Sequence, residues 1–393
     1  MSEATYIVNG ARTAMGDYVG ALKDFSANEL GAMASRAALK RAAVAPEEIE
    51  HVVMGNALQT SRDAAYGARH VALQAGVPIE VPALTVNRLC GSGIQSVVSA
   101  AHLMMAGEAR VALAGGMESM SQAPHVVRGA RAGLRLGQGE LEDSLMTSLM
   151  DSQCGLYMAA TADNLAAQYG VTREESDRYA LRSQQAADRA YREGKFKDEI
   201  APVEIKTKNG VELFAEDDHR RPETTLENLA RLKPAFAQQG LVTAGNASGI
   251  VDGGAALVVA TESFVRERKL APLGRIVSWA YAGVPPEIMG IGPAPATRKA
   301  LERAGLKLSD MDLIEVNEAF APQYLAVEKE LGLPREKTNV NGGAIALGHP
   351  LGATGTRLLL TLLLELARRK GRYGLATACI GGGQGIAMIV EAL

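Results

Sequence analysis

The sequence predicts an α/β protein: two related βα halves forming a layered α/β/α/β/α body, with a lobe inserted between them. Three observations carry this expectation. A helix–turn–strand pattern occurs twice in the same order, strand-like and helix-like segments alternate within each copy, and the middle of the chain follows neither rule. Strands that alternate with helices argue for mostly parallel sheets covered on both faces, and two such sheets share helices in the middle.

The repeat is read residue by residue. Ala38-Leu39-Lys40-Arg41 aligns without a gap on Ala300-Leu301-Glu302-Arg303. The register continues through Glu48-Ile49-Glu50 against Asp310-Met311-Asp312 and ends at Ala57 against Ala319. Each copy reads as a helix, an acidic turn and a buried strand. Further on, Val86-Asn87 and Val340-Asn341 each end a strand-like stretch and enter a Gly-rich loop. A long apolar helix follows (94–105 and 355–369), then a strand that runs into glycines (110–114 and 373–378). The halves are expected at about 1–120 and 250–393, with 121–249 as the lobe.

Within the lobe, residues 172–199 are densely charged and helical, a pattern that reads first as a solvated helix face. Thr172 and Glu175 have capping-box spacing at its start. Asn209-Gly210, between Val203-Glu204-Ile205 and Val211-Glu212-Leu213, signals a hairpin.

Composition excludes several classes. Forty-one basic against forty-four acidic residues give a net charge of −3, so no basic field points to nucleic acid. The longest apolar run, residues 358–364, contains Thr361 and falls far short of the roughly 20 residues that span a bilayer. Three cysteines cannot form a disulfide scaffold, and their odd number fits a reducing compartment. A strand-like segment at residues 5–8 leads to the expectation that no secretory leader precedes the fold. The terminal Glu391-Ala392-Leu393 is not a peroxisomal signal, and a cytoplasmic location is expected.

The chemistry concentrates in three loops. Cys90 lies in Asn87-Arg88-Leu89-Cys90-Gly91-Ser92-Gly93, between a strand and a helix N-terminus. Unpaired N–H groups and a positive dipole at that position are expected to stabilise a thiolate. Taken alone, a lone cysteine is more often a buried small hydrophobe. The corresponding loop of the second half holds Gly348-His349-Pro350 among small residues, a poor setting for a packing histidine, and a third loop reads Cys379-Ile380-Gly381-Gly382-Gly383. A nucleotide-binding reading of these glycines fails: Ser96 stands where a third glycine belongs, and only eight residues follow Gly385. No Walker loop, His-Glu-x-x-His or Cys-x-x-Cys occurs, so neither phosphate cradling nor a metal site is expected.

Together with Asn317-Glu318-Ala319-Phe320, these motifs closely resemble those of the thiolases, the acetyl-CoA acetyltransferases and 3-ketoacyl-CoA thiolases, and the resemblance runs over essentially the whole chain. It implies a reversible ping-pong Claisen condensation of two acyl-CoA molecules, or the reverse thiolysis, with no permanently bound cofactor and with coenzyme A or acetyl-CoA as substrate. By match to the family, Cys90 is the nucleophile that becomes acylated, His349 takes its proton, and Cys379 is the acid/base for the second acetyl-CoA. One oxyanion site falls to His349 with a water held by Asn317, the other to the N–H groups of Cys90 and Gly381. On its own, Asn317 reads equally as a polar cap after the strand 313–316.

The same resemblance places coenzyme A along the lobe, with Arg221 near the adenine, Ser248 near the pantetheine, and Lys233 and Arg220 as further basic candidates. It lines the acyl pocket with Leu149, Met158, Ala319 and Phe320, each of which ordinary core packing also explains. Tyr157-Met158 departs from the His-Met of many short-chain members, which puts strict acetoacetyl specificity in doubt. Val251-Asp252 replaces the commoner Asn-Asp, a change read as structural, as is Cys154. A homotetramer is implied, for which the Arg-rich stretch 128–139 is an assembly candidate or an ordinary exposed loop. The alternatives are a ketoacyl-synthase type of condensing enzyme and a non-catalytic acyl-CoA-binding scaffold. The second cysteine at 379, where a synthase carries histidine, weighs against the first; the intact motif set weighs against the second.

Overall fold

The computed structural model describes residues 3–208, 210–235 and 240–393. The first half comprises β1 (Thr5–Thr13), α1 (Ala27–Ala42), β2 (His51–Gly55), α2 (Gly67–Gln74), β3 (Ala83–Val86), α3 (Ser92–Met105) and β4 (Val111–Glu118). The lobe carries α4 (Met158–Tyr169) and α5 (Arg173–Arg192). The rest is β5 (Val251–Thr261), β6 (Gly274–Gly283), α6 (Pro293–Ala304), β7 (Leu313–Val316), α7 (Ala321–Leu331), α8 (Leu351–Arg369), β8 (Tyr373–Ile380) and β9 (Gln384–Ala392).

The strand order is β7-β8-β9-β6-β1-β5-β4-β2-β3. The two half-sheets join through one short pairing, Tyr6 with Arg275 and Ile7 with Gly274. The five expected layers are present: α8 and α3 pack against each other between the sheets, α1 covers one outer face, and α6 covers the other. The expectation of mostly parallel sheets is corrected. β2–β3, β2–β4 and β7–β8 are parallel, whereas the pairings of β1, β5, β6 and β9 along this order are antiparallel. Strands buried on both faces read as continuous apolar runs whatever their direction, so the pattern cannot distinguish the two. β5, at the start of the 250–393 segment, is hydrogen-bonded into the sheet of the first half.

Two further differences have local causes. β4 does not stop at its glycines but runs through Gly115 and Gly116 to Glu118. The glycines are there because α8 presses on the strand: a Cβ on Gly116 would sit 1.8 Å from the Gly352 carbonyl oxygen. The expected strand before Asn341 is reduced to a single bridge, Ile314 to Thr338. Asn339, with φ +47°, takes over its role: its side chain accepts from the Val316 N–H (2.8 Å) and donates to the Val316 carbonyl (2.9 Å).

The lobe is anchored by buried charge. The Arg12 guanidinium on β1 meets Asp217 through two bonds (2.6 and 2.8 Å) and Glu199 through a third (2.7 Å), all three side chains buried. The fork geometry compensates the desolvation of these ions. α5 has the predicted capping box, with the Thr172 N–H donating to Glu175 at 2.7 Å and the Glu175 N–H donating back at 3.2 Å. Only one of its faces is solvated; Tyr179, Ala180, Ser183, Ala187 and Ala190 are buried against the C-terminal half. The hairpin forms between Val203–Thr207 and Gly210–Phe214, while Asn209 lies outside the described residues. Among the described residues, no helix is long and apolar enough to cross a membrane.

Candidate active site

Cys90 sits in a single 3-10 turn, Leu89–Gly91, that leads directly into α3. The residue before it, Leu89, has φ +45°, a left-handed conformation costly for a branched side chain. Such strain at a nucleophile persists only where its surroundings over-determine it. Here the Asn87 side chain accepts from the Leu89 N–H (2.9 Å) and donates to the Ala57 carbonyl (3.0 Å), and the Ser92 hydroxyl donates to the Leu89 carbonyl (2.7 Å).

His349 lies just ahead of α8, 4% exposed. Its Nδ1 is 2.6 Å from the Thr354 hydroxyl, which donates at 3.0 Å to the Pro350 carbonyl. A hydroxyl that donates to the Pro350 carbonyl accepts from Nδ1–H, which leaves the Nε2 lone pair as an acceptor for the Asn317 amide N–H. That lone pair faces the amide nitrogen of Asn317 at 3.2 Å, and the Asn317 Oδ1 is buried without a partner. A buried oxygen of this kind is where an ordered water binds.

Cys90, His349 and Gly381 line one largely apolar cavity together with Ser248, Leu149, Met158, Ala319 and Phe320. Cys379 is fully buried and packs with Met289, Ala319, Met158 and Phe320 at the floor of that cavity. Arg221 does not line it; its guanidinium is half-exposed and paired with Asp17 at 2.7 Å. Met120, Met289 and Leu351 line the cavity without having been expected from the sequence. Met289 comes from an irregular turn, Pro286–Ile291, that no periodicity marks. Thr354 was legible in principle, as a hydroxyl one turn beyond a histidine that opens a helix.

Burial shifts the titration of all three groups. Burial pushes the Cys90 thiol up to about 11, against the N–H groups of Gly381 and Cys90 itself, which favour the thiolate. Desolvation thus opposes the helix N-terminus at Cys90, a residue itself partly exposed to the cavity. Burial, with a smaller contribution from the Arg357 guanidinium, pushes His349 down to about 3, far from the near-neutral value expected of a free imidazole. Burial also raises the Cys379 thiol well above its usual range, and Cys90 adds to the effect. The resting site is thus neutral: two thiols and a bare imidazole nitrogen. This suits proton transfer concerted with attack.

A mixed five-layer α/β body whose two halves bring a cysteine and a histidine to one apolar cavity, with a second cysteine buried against its lining, defines a thiol-dependent acyl-transfer class. The thiolase N-terminal domain matches residues 5–263 and the thiolase C-terminal domain residues 270–392. The mitochondrial 3-ketoacyl-CoA thiolase of Homo sapiens is 55% identical over 387 residues, 98% of either chain. The acetyl-CoA acetyltransferase of Escherichia coli is 50% identical over 389 residues, again 98% of either. The crystal structure of the human mitochondrial 3-ketoacyl-CoA thiolase in complex with CoA superposes with a TM-score of 0.97 at 53% identity, covering 100% of this chain and 98% of that one. The chain belongs to the thiolase family.

Proposed function

We propose that this chain catalyses reversible thiolysis of 3-ketoacyl-CoA, and the reverse condensation of acetyl-CoA with an acyl-CoA, through an acyl-Cys90 intermediate. The observation that carries this is the convergence of Cys90 and His349, from opposite halves, on one cavity, with Cys379 buried at its floor. Cys90 Sγ attacks the thioester carbonyl while its proton passes to His349 Nε2, and the Cys379 thiol gives its own proton to the departing CoA sulfur. Cys379, now a thiolate, takes a proton from the methyl of acetyl-CoA, the resulting carbanion attacks the acyl-enzyme, and the released Cys90 thiolate recovers its proton from His349; in thiolysis each step reverses. The Gly381 N–H, already directed at Cys90, and the backbone N–H of Cys90 meet one developing oxyanion. His349 and a water on Asn317 meet the other.

Coenzyme A enters past Ser248, with Arg221 toward its adenine end. The crystal structure of the human relative in complex with CoA supports coenzyme A as the ligand. The lining by Leu149, Met158, Phe320, Met120 and Leu351 favours acyl chains longer than acetoacetyl, as does Tyr157 in the cavity wall. A series of 3-ketoacyl-CoA substrates of increasing length tests this: kcat/KM is expected to rise beyond four carbons, and activity confined to acetoacetyl-CoA overturns it. Decarboxylative condensation of malonyl thioesters would instead favour the ketoacyl-synthase reading. An unmodified Cys90 after incubation with acetyl-CoA would favour the scaffold.

A homotetramer belongs to the same reading. The edge strand β3 exposes Leu84 beside exposed Tyr66 and Ile79, and Leu134, Leu136 and Leu141 project from the stretch around 128–141. Sedimentation at micromolar concentration tests it. Three free thiols support a reducing compartment such as the cytoplasm.

A further inference from the structure

Glu118, the last residue of β4, is completely buried, and no lysine or arginine contacts it among the described residues. Its carboxylate instead accepts four hydrogen bonds from neutral donors. Oε1 takes the Asn56 amide (2.9 Å) and the Leu58 N–H (2.9 Å); Oε2 takes the Ala57 N–H (3.1 Å) and the Gly352 N–H (2.8 Å). All four contacts are donors, so a protonated carboxyl would have nothing to donate to; they hold the charged form. Burial opposes them and pushes the group up to about 7.

Three of the four donors lie in the loop after β2, which supports the Cys90 loop, and the fourth lies beside His349. Ala57 holds Asn87, which holds Leu89, the residue before Cys90. Gly352 is in the first turn of α8, three residues after His349, where N–H groups lack intrahelical partners. Glu118 therefore caps the helix of the histidine half from the cysteine half, at the point where Gly116 and Gly352 let the backbones touch. It does not line the cavity, so it does not touch substrate. The titratable groups that act with it are Asp252 on β5, itself held by Ser121, and Cys90, whose thiolate the Glu118 charge disfavours.

We propose that Glu118 is a positioning residue for the thiolase reaction: its buried carboxylate locks the Cys90 and His349 loops in one register and sets a fixed negative charge near Cys90. This rests on the function proposed above. Such a lock accounts for a full charge placed where a neutral side chain is cheaper to bury. It also accounts for the absence of a cation, which would cancel the field at Cys90.

The test is the pH dependence of Cys90 alkylation by iodoacetamide, followed by peptide mass, alongside steady-state thiolysis, in the wild type, Glu118→Gln and Glu118→Asp. Glu118→Gln removes the charge and is expected to lower the alkylation midpoint by about one pH unit. It is also expected to cut kcat at least tenfold with KM nearly unchanged, as a misplaced catalytic pair does. Glu118→Asp keeps the charge but shortens the reach, so its midpoint stays near wild type while kcat falls. A purely structural residue would not separate the two readouts in this way. A wild-type midpoint in Glu118→Gln, or full kcat in either variant, overturns the proposal. Should Glu118→Gln not fold, Glu118→Asp decides alone. A wild type without thiolysis would instead overturn the proposed function, and the alkylation profiles would still report on Glu118.

Discussion

His349 Nδ1 and Thr354 Oγ1 lie 2.6 Å apart, and the hydroxyl donates its own hydrogen bond to the Pro350 carbonyl. This single relationship sets the tautomer of the imidazole and so decides that the nitrogen facing Asn317 is a base. Replacing Thr354 with Val keeps the shape and removes the acceptor. We expect kcat to fall about 10- to 100-fold with little change in KM. Thr354→Ser, which keeps the hydroxyl, is expected to retain most of the rate.

The two cysteines separate by assay. Cys90→Ala is expected to abolish acyl-enzyme formation from labelled acetyl-CoA together with turnover in both directions. Cys379→Ala is expected to leave acylation of Cys90 measurable while carbon–carbon chemistry falls by about 10² or more. Equal loss of both activities in Cys379→Ala would contradict the division of roles.

The buried imidazole has a signature in stability. In the unfolded chain a histidine binds its proton near 6.5, whereas in the fold His349 stays neutral until about 3. The unfolded state therefore holds more protons throughout that window, and stability falls as pH drops from 6.5 toward 3. Between pH 7.5 and pH 5 the wild type is expected to lose about 2 kcal/mol that His349→Asn does not lose. Denaturant melts of both proteins at the two pH values measure this difference.

The contact between β4 and α8 is tight enough to test with one methyl group. Gly116→Ala brings a Cβ to 1.8 Å from the Gly352 carbonyl oxygen, where neither backbone can move alone. A loss of about 1–3 kcal/mol in stability is expected, with a larger fractional loss of activity, because the displaced turn carries Glu118's partner. A wild-type melting temperature in this variant would show that the strand and helix can part.

Much of this was legible because repetition makes a weak pattern specific. The match of residues 38–57 to 300–319 set two halves side by side, and the Cys90 and His349 loops then fell at corresponding places. What escaped the sequence was whatever depends on depth or direction. Apolar runs such as β5 are the same whether their neighbours run with or against them, so the mixed sheet was not visible. A helix N-terminus beside Cys90 implied a thiolate, yet burial opposes it, and no local pattern reports how dry a loop becomes. Arg221 carries the expected motif but points to Asp17, a partner 204 residues away in sequence. Glu118 reads as an ordinary charged residue after two glycines, because its four donors come from segments that only the fold assembles.

The place of β1 at the seam has a consequence for how the chain is made. Apart from a two-residue pairing with Ile200 and Ala201, its partners are β5 and the start of β6, so most of its edge stays unpaired until residues beyond 250 have followed. Synthesis thus exposes an apolar, unpaired edge for most of its duration. Pairing over so long a separation slows folding in general, and here the order of translation works against the order of assembly.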